Sequence, residues 1–169
     1  MTKRNKEIKF AGNYVTILGE ALKIGDIAPN FKALKNDLSV FNLSDLYGKI
    51  KIISVVPSVD TGVCALQTIR FNKEASNLSD VSIVTISADL PFALGRFCGA
   101  NGIDNSITLS DHKDLDFGTK YGFVVEELRL LTRGIIILDK NNIIKHIEYV
   151  PEITEHPDYE KALEIVKSI

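Results

Sequence analysis

The chain has 169 residues, and its 20 basic and 22 acidic side chains leave a formal charge of −2; 45% of its residues are apolar. That length is one domain's worth, residues 1–169, able to bury roughly 70% of the surface its unfolded form exposes. The apolar content excludes intrinsic disorder, two cysteines are too few for a disulfide-stapled miniprotein, and the balanced charge offers nucleic acid no basic footprint.

The first residues carry Lys3, Arg4, Lys6 and Lys9, a cluster that Glu7 dilutes and that reads as a solvated terminal strand. Asn13, Thr16, Gly19 and Glu20 interrupt the apolar run that an export signal needs, and no stretch reaches the roughly 20 apolar residues of a membrane span. The expected compartment is the cytosol, where paired thiols are more often redox or metal groups than stable disulfides.

Ile8 to Phe10 and Tyr14 to Leu18 flank Ala11-Gly12-Asn13 and predict a short hairpin. A strand near Phe31 to Leu34 turns at Asn36-Asp37, and Ser39 to Leu43 runs back against it. Ser44 to Gly48 reads as one helical turn. Lys49 to Val56 is β-branched and apolar between Gly48 and Pro57, the pattern of a buried strand. Val63 to Leu78 predicts an amphipathic helix with Leu66, Ile69, Ala75 and Leu78 on its inner stripe and Phe71 out of phase.

Val81 to Ser87 is a second buried strand. Asp89 then stands where it would cap a helix from about Leu90 to Gly99, with Pro91 in the first turn. Ile107 to Leu109 is a short strand, and Leu115 to Tyr121 a short helix ended by Gly122. Gly134 to Leu138 and Ile143 to Tyr149 flank Asp139-Lys-Asn-Asn142, a hairpin signal, and Pro157 to Ile169 is a closing helix. A parallel βαβ unit, another helix, an antiparallel hairpin and a last helix give the α/β element order of a thioredoxin-like fold. That fold has a central mixed sheet flanked by helices, here with an N-terminal β-hairpin extension.

The densest chemistry lies where a strand becomes a helix, at Pro57-Ser-Val-Asp-Thr61-Gly-Val-Cys64. Unpaired amides and the positive end of the helix dipole point at that first turn, and they favour the charged form of a thiol. Thr61 can set a hydroxyl beside the sulfur, and Pro57 can stiffen the loop and limit water. The plain alternative is a small cysteine packed under the sheet. A Cys-x-x-Cys pair is absent, since the sequence continues Cys64-Ala-Leu-Gln67, so thioredoxin's own dithiol exchange is excluded. Cys98 lies on the following helix; alone it reads as a buried helix residue. Helices after adjacent parallel strands can lie side by side, and a bridge needs Cα atoms within about 7 Å.

Pro57-x-x-x-Thr61-x-x-Cys64 resembles the peroxiredoxin signature. Ser87-Ala-Asp-Leu-Pro-Phe-Ala-Leu-Gly-Arg-Phe-Cys98-Gly99 is similar to the second-cysteine helix of the bacterial thiol peroxidases, the atypical two-cysteine peroxiredoxins. Ile107 to Asp111, Tyr121-Gly122, Leu131-Thr-Arg133 and the N-terminal hairpin extend the resemblance over nearly the whole chain. The resemblance implies that Cys64 is the peroxidatic cysteine, Cys98 the resolving cysteine, and Cys64–Cys98 a redox disulfide. It also implies that Arg133 is the active-site arginine, where the sequence by itself favours a surface ion pair at a strand edge. A thiol-specific peroxidase would follow, reducing hydrogen peroxide and organic hydroperoxides without a cofactor or metal. Thioredoxin would be its reductant, and the enzyme would be a homodimer packed near the active site.

Other features carry less. His112, His146 and His156 lack metal-ligand spacing, and no Gly-x-Ser-x-Gly elbow is present. Gly95, Gly99 and Gly102 form no phosphate loop and read as loosening the Cys98 helix. Two competing functions stay open on sequence: a general thiol–disulfide oxidoreductase, and a redox-responsive binding module that oxidises once.

Overall fold

The structure is a computed structural model that describes residues 1–75 and 77–169. The chain opens with β1 (Lys3–Phe10) and β2 (Asn13–Leu18), whose turn residues Ala11 and Gly12 have φ of 49° and 83°. Two successive positive φ angles match the twist of the flanking strands. β3 (Lys32–Leu34) and β4 (Val40–Asn42) form a second antiparallel pair, followed by a 3-10 turn over Leu43–Leu46. Next come β5 (Ile50–Val55), α1 (Gly62–Ala75), β6 (Val81–Ser87), α2 (Pro91–Asn101) and β7 (Ile107–Ser110). α3 (Asp116–Tyr121) leads to β8 (Val124–Val125) and β9 (Leu130–Leu131). β10 (Gly134–Leu138), β11 (Ile144–Tyr149) and α4 (Tyr159–Ser168) complete the order.

Seven strands make the main sheet in the order β11-β10-β5-β6-β7-β3-β4. β5, β6 and β7 run parallel at its centre, with antiparallel pairs on both sides. Both crossovers, through α1 and α2, advance in the same direction, so right-handed connections set the two helices on one face. α4 joins them: Tyr159, Ala162, Leu163 and Val166 pack with Phe71 of α1 over Ile52, Ile83, Ile135 and Ile137. The opposite face is covered by α3, where Phe117 and Tyr121 meet Phe31, Ile53, Val55 and Val84. The Phe31 and Phe117 rings meet edge-on at 4.9 Å. This is the thioredoxin-like arrangement expected, and β5 is buried at every residue, as a central parallel strand requires.

The expected N-terminal hairpin is present, and it belongs to a second sheet, β1-β2-β8-β9. Strands of two residues such as β8 and β9 are too short to show alternation, so the sequence hides them.

The predicted helix from Val63 to Leu78 ends at Ala75; Ser76 and the side chain of Ala75 lie outside the described residues. Its inner face carries Cys64, Gln67, Thr68, Phe71 and Asn72, whereas Leu66 and Ile69 face outward at 58% and 37% exposure. The inner face differs in phase from the apolar stripe because polar residues occupy it with their hydrogen bonds made. Gln67 donates to Ser54 Oγ at 2.8 Å, Thr68 to the Cys64 carbonyl at 2.9 Å, and Asn72 to the Gly102 carbonyl at 3.2 Å. Burial costs such groups little once they are paired.

Nor does Asp89 cap α2. That position falls to Leu90, which makes no side-chain cap bond, and the Asp89 carboxylate turns back toward Ser58 and Val59.

Candidate active site

At the end of β5 the Val56 amide still donates to the Ile86 carbonyl, and the chain then leaves the sheet through Pro57 to Asp60. The first helical bond of α1 runs from the Ala65 amide to the Thr61 carbonyl at 2.9 Å. The amides of Gly62, Val63 and Cys64 therefore precede the helical ladder and have no acceptor within the helix. Cys64, in this first turn, is fully buried among Val56, Val59 and Leu94 of α2. Pro57 is buried at the strand end, and Thr61 donates its hydroxyl to Cys64 Sγ at 2.6 Å.

Arg133 arrives from the opposite direction, just before β10. A Cβ on the next residue, Gly134, would fall 2.2 Å from the Glu148 carbonyl oxygen and 2.6 Å from the Phe123 ring. Only glycine lets the backbone pass that closely, and this fixes where Arg133 leaves the strand. Arg133 is 2% exposed, so the surface ion pair that the sequence alone favours is set aside. Nε donates to the Ile153 carbonyl at 2.7 Å, Nη1 to Gln67 Oε1 at 2.8 Å and Nη2 to Cys64 Sγ at 3.1 Å. Among the described residues no carboxylate pairs with it. A buried cation is costly without partners, and here its donors are met by the Ile153 carbonyl, Gln67 Oε1 and Cys64 Sγ.

Sequence reasoning missed Gln67. It sits three residues after Cys64, hence on the same face of α1, and that spacing was the available signal. Its amide bridges Ser54 of β5 and Arg133, so it sets the plane of the guanidinium. Also missed was the Ile153 carbonyl, which no residue identity announces.

Cys98 lies elsewhere. Both cysteines are free, and the Cys98 sulfur is 3.3 Å from Thr108 Oγ1 and 3.9 Å from Asn36 Nδ2. It borders an open cleft of about 350 Å³ between the β3–β4 turn and β7. The structure thus unites Thr61, Cys64 and Arg133, places Pro57 buried at the end of the preceding strand, and leaves Cys98 in a separate setting, although Leu94, one turn earlier on α2, belongs to the Cys64 cluster. Among the described residues no group of three or more His, Cys, Asp or Glu side chains is arranged to hold a metal ion, and no helix is long and apolar enough to cross a membrane.

Residues 23–163 match the family model described as Redoxin. The chain is 57% identical to the thiol peroxidase of Oceanobacillus iheyensis, covering 92% of this chain and 95% of that protein. It is 54% identical to the thiol peroxidase of Bacillus subtilis, covering 96% and 98%. A peroxiredoxin-like protein from Aquifex aeolicus superposes with a TM-score of 0.90 at 34% identity, over 98% of both chains. With relatives this similar along nearly their whole length, and a cysteine, threonine and arginine meeting at one helix start, the chain belongs to the redoxin family and is a thiol peroxidase of the peroxiredoxin group.

Proposed function

We propose that Cys64 is the peroxidatic cysteine and that Arg133, Thr61 and the amides of Val63 and Cys64 are the donors that make its attack on a hydroperoxide fast. One observation carries the reading: a buried guanidinium without a carboxylate partner donates to the same sulfur as the Thr61 hydroxyl. The sulfur attacks the terminal peroxide oxygen. An S–O bond forms as the O–O bond breaks, and the departing oxygen takes the electron pair and a proton to leave as water or an alcohol. Negative charge moves from sulfur to oxygen, so donors fixed near both ends lower the barrier more than they stabilise the starting state. Arginine suits this task because its planar fork serves two acceptors at once. Pro57 closes the strand end against competing water.

Cys98 is the resolving cysteine. Its thiolate attacks the Cys64 sulfenic acid, the S–S bond forms, and the departing hydroxide is protonated to water. The two thiols have different polar partners, so the first turn of α1 and the last turn of α2 must loosen to meet. An external dithiol, thioredoxin on the resemblance, then reopens the bridge by exchange. Hydrogen peroxide and organic hydroperoxides are the substrates, and the cytosol, which keeps dithiol reductants reduced, is the compartment. A homodimer near the site is supported by exposed Leu66, Leu90 and Phe92, at 58%, 55% and 69%.

The test is peroxide consumption coupled to thioredoxin and its reductase. Cys64→Ser abolishes it with the fold intact. Cys98→Ser keeps the first turnover and stops cycling. Substantial turnover by Cys64→Ser removes the nucleophile assignment, and normal cycling by Cys98→Ser removes the resolving role.

A further inference from the structure

We propose that Asp89 is a latch: a positioning residue that holds the Cys64 loop against the start of the Cys98 helix and so sets how the sulfenic acid partitions between disulfide and sulfinic acid. The inference rests on the mechanism above.

The Asp89 side chain accepts three hydrogen bonds: from Ser58 Oγ at 2.7 Å, the Val59 amide at 2.8 Å and Ser87 Oγ at 2.8 Å. Among the described residues no cation pairs with it, so these donors are what hold it. Bonds to an ionised acceptor are roughly twice as strong as neutral ones. Two of the three donors belong to the loop that leads to Cys64. Ser58 passes the restraint on, because its carbonyl receives the Thr61 amide at 3.3 Å and Thr61 in turn donates to Cys64 Sγ. Asp89 therefore reaches the reactive sulfur through Ser58 and Thr61.

The backbone of Asp89 faces the other cysteine. Its carbonyl accepts the Ser110 hydroxyl of β7, and the next residue, Leu90, accepts the first bond of α2, from the Leu94 amide at 3.1 Å. Cys98 follows one turn after Leu94 on that helix. One residue thus ties the segment bearing the attacking thiol to the segment bearing the resolving thiol. Disulfide formation requires both segments to loosen, whereas reaction with peroxide requires the first to stay assembled.

The competing fate follows from that contrast. In the closed site a second hydroperoxide can transfer an oxygen to the sulfenic sulfur, giving sulfinic acid and another water or alcohol. In the loosened site Cys98 attacks instead. Releasing Asp89 should shift the balance from the first toward the second, and it should change the two steps in opposite directions. A loss of stability alone would not do that.

Asp89→Ala, with Asp89→Asn as the conservative control and Ser58→Ala as a milder variant in case the alanine does not fold, tests the latch. Quenched-flow mixing with thiol trapping and intact-mass spectrometry reports sulfenic acid formation and disulfide formation separately, and the same masses count sulfinic acid as hydrogen peroxide is raised. The expected result for Asp89→Ala is sulfenic acid formation about tenfold slower and disulfide formation about tenfold faster, as for loss of hydrogen bonds to a charged group. Its sulfinic acid then needs more peroxide to appear, and Asp89→Asn, which keeps an acceptor, lies between. Ser58→Ala shifts both steps in the same senses by less. Rates that both fall, both rise or stay unchanged overturn the latch. The unsubstituted protein measured alongside separates the two readings. If it forms no Cys64–Cys98 disulfide, the mechanism itself fails; if it forms one normally and the variants match it, only the latch fails.

Discussion

Arg133 Nη2 lies 3.1 Å from Cys64 Sγ, and the same guanidinium is held by the Ile153 carbonyl through Nε and by Gln67 through Nη1. The two fixed bonds aim the third. Lysine in its place keeps the charge but has one short, rotatable ammonium that cannot satisfy all three acceptors.

Arg133→Lys therefore behaves more like Arg133→Ala than like the unsubstituted protein. Both should slow sulfenic acid formation by roughly 10²–10³, the cost of removing a positioned donor. A second-order rate with hydrogen peroxide, followed by stopped flow, checks it. A lysine variant at full speed would show that charge alone suffices and that the fork geometry is irrelevant.

Gln67 acts through Arg133 and not on the sulfur. Gln67→Leu should slow peroxide attack about tenfold, as expected when one hydrogen bond to a charged group is lost. In an Arg133→Ala background the same change should cost almost nothing, since the residue it orients is gone. A double-mutant cycle on the attack rate gives the answer. Fully additive effects would mean that Gln67 contributes by some route other than the arginine.

The N-terminal hairpin also bears on Arg133. The Lys9 amide donates to the Pro151 carbonyl at 2.7 Å, and the Ile153 amide donates to the Lys9 carbonyl at 2.9 Å. Glu152 accepts from the Ala11 and Gly12 amides at 3.0 and 2.9 Å. The hairpin thereby fixes the segment whose Ile153 carbonyl holds the guanidinium. Glu152→Ala should slow peroxide attack several-fold while thermal unfolding shows the protein still folded at the assay temperature. An unchanged rate would reduce the hairpin to a cover for the sheet.

What the sequence disclosed divides along physical lines. Buried parallel strands carry their own pattern, so β5 and β6 were placed within a residue or two. Cys64 and Thr61 stand three positions apart at a strand–helix corner, where local geometry brings them together. Arg133 was legible only by resemblance, because its burial depends on the meeting of three distant segments. Gln67 and Asp89 escaped for a related reason. A polar residue on the inner face of a helix contradicts the apolar count, and an aspartate before a helix reads as a cap although here it bonds to another loop. The short β8 and β9 depend on partners far away in sequence and leave no periodic trace.

Asp111 links the fold to pH. Its carboxyl group is buried after β7 and accepts from the Phe117 and Gly118 amides at 3.0 and 2.8 Å, anchoring the start of α3. Burial pushes its pKa up to about 7 against the pull of those two donors. The unfolded chain releases this proton near the ordinary aspartate value of 3.8. Between roughly pH 4 and 7 the folded state therefore binds more protons than the unfolded state, and stability falls as pH rises through that window. His146 works in the opposite sense. Burial, with Lys161 nearby, holds its pKa below 6.5, so the unfolded chain takes up a proton first as pH drops and stability is lost on the acid side. The two slopes partly cancel in the unsubstituted protein, and Asp111→Asn isolates the first. Urea midpoints taken across pH 4.5 to 7.5 (about that range spans both titrations) should show the stability of the unsubstituted protein, relative to the variant, declining as pH increases. Parallel profiles would mean that the two amides hold Asp111 ionised throughout and that burial does not dominate its titration.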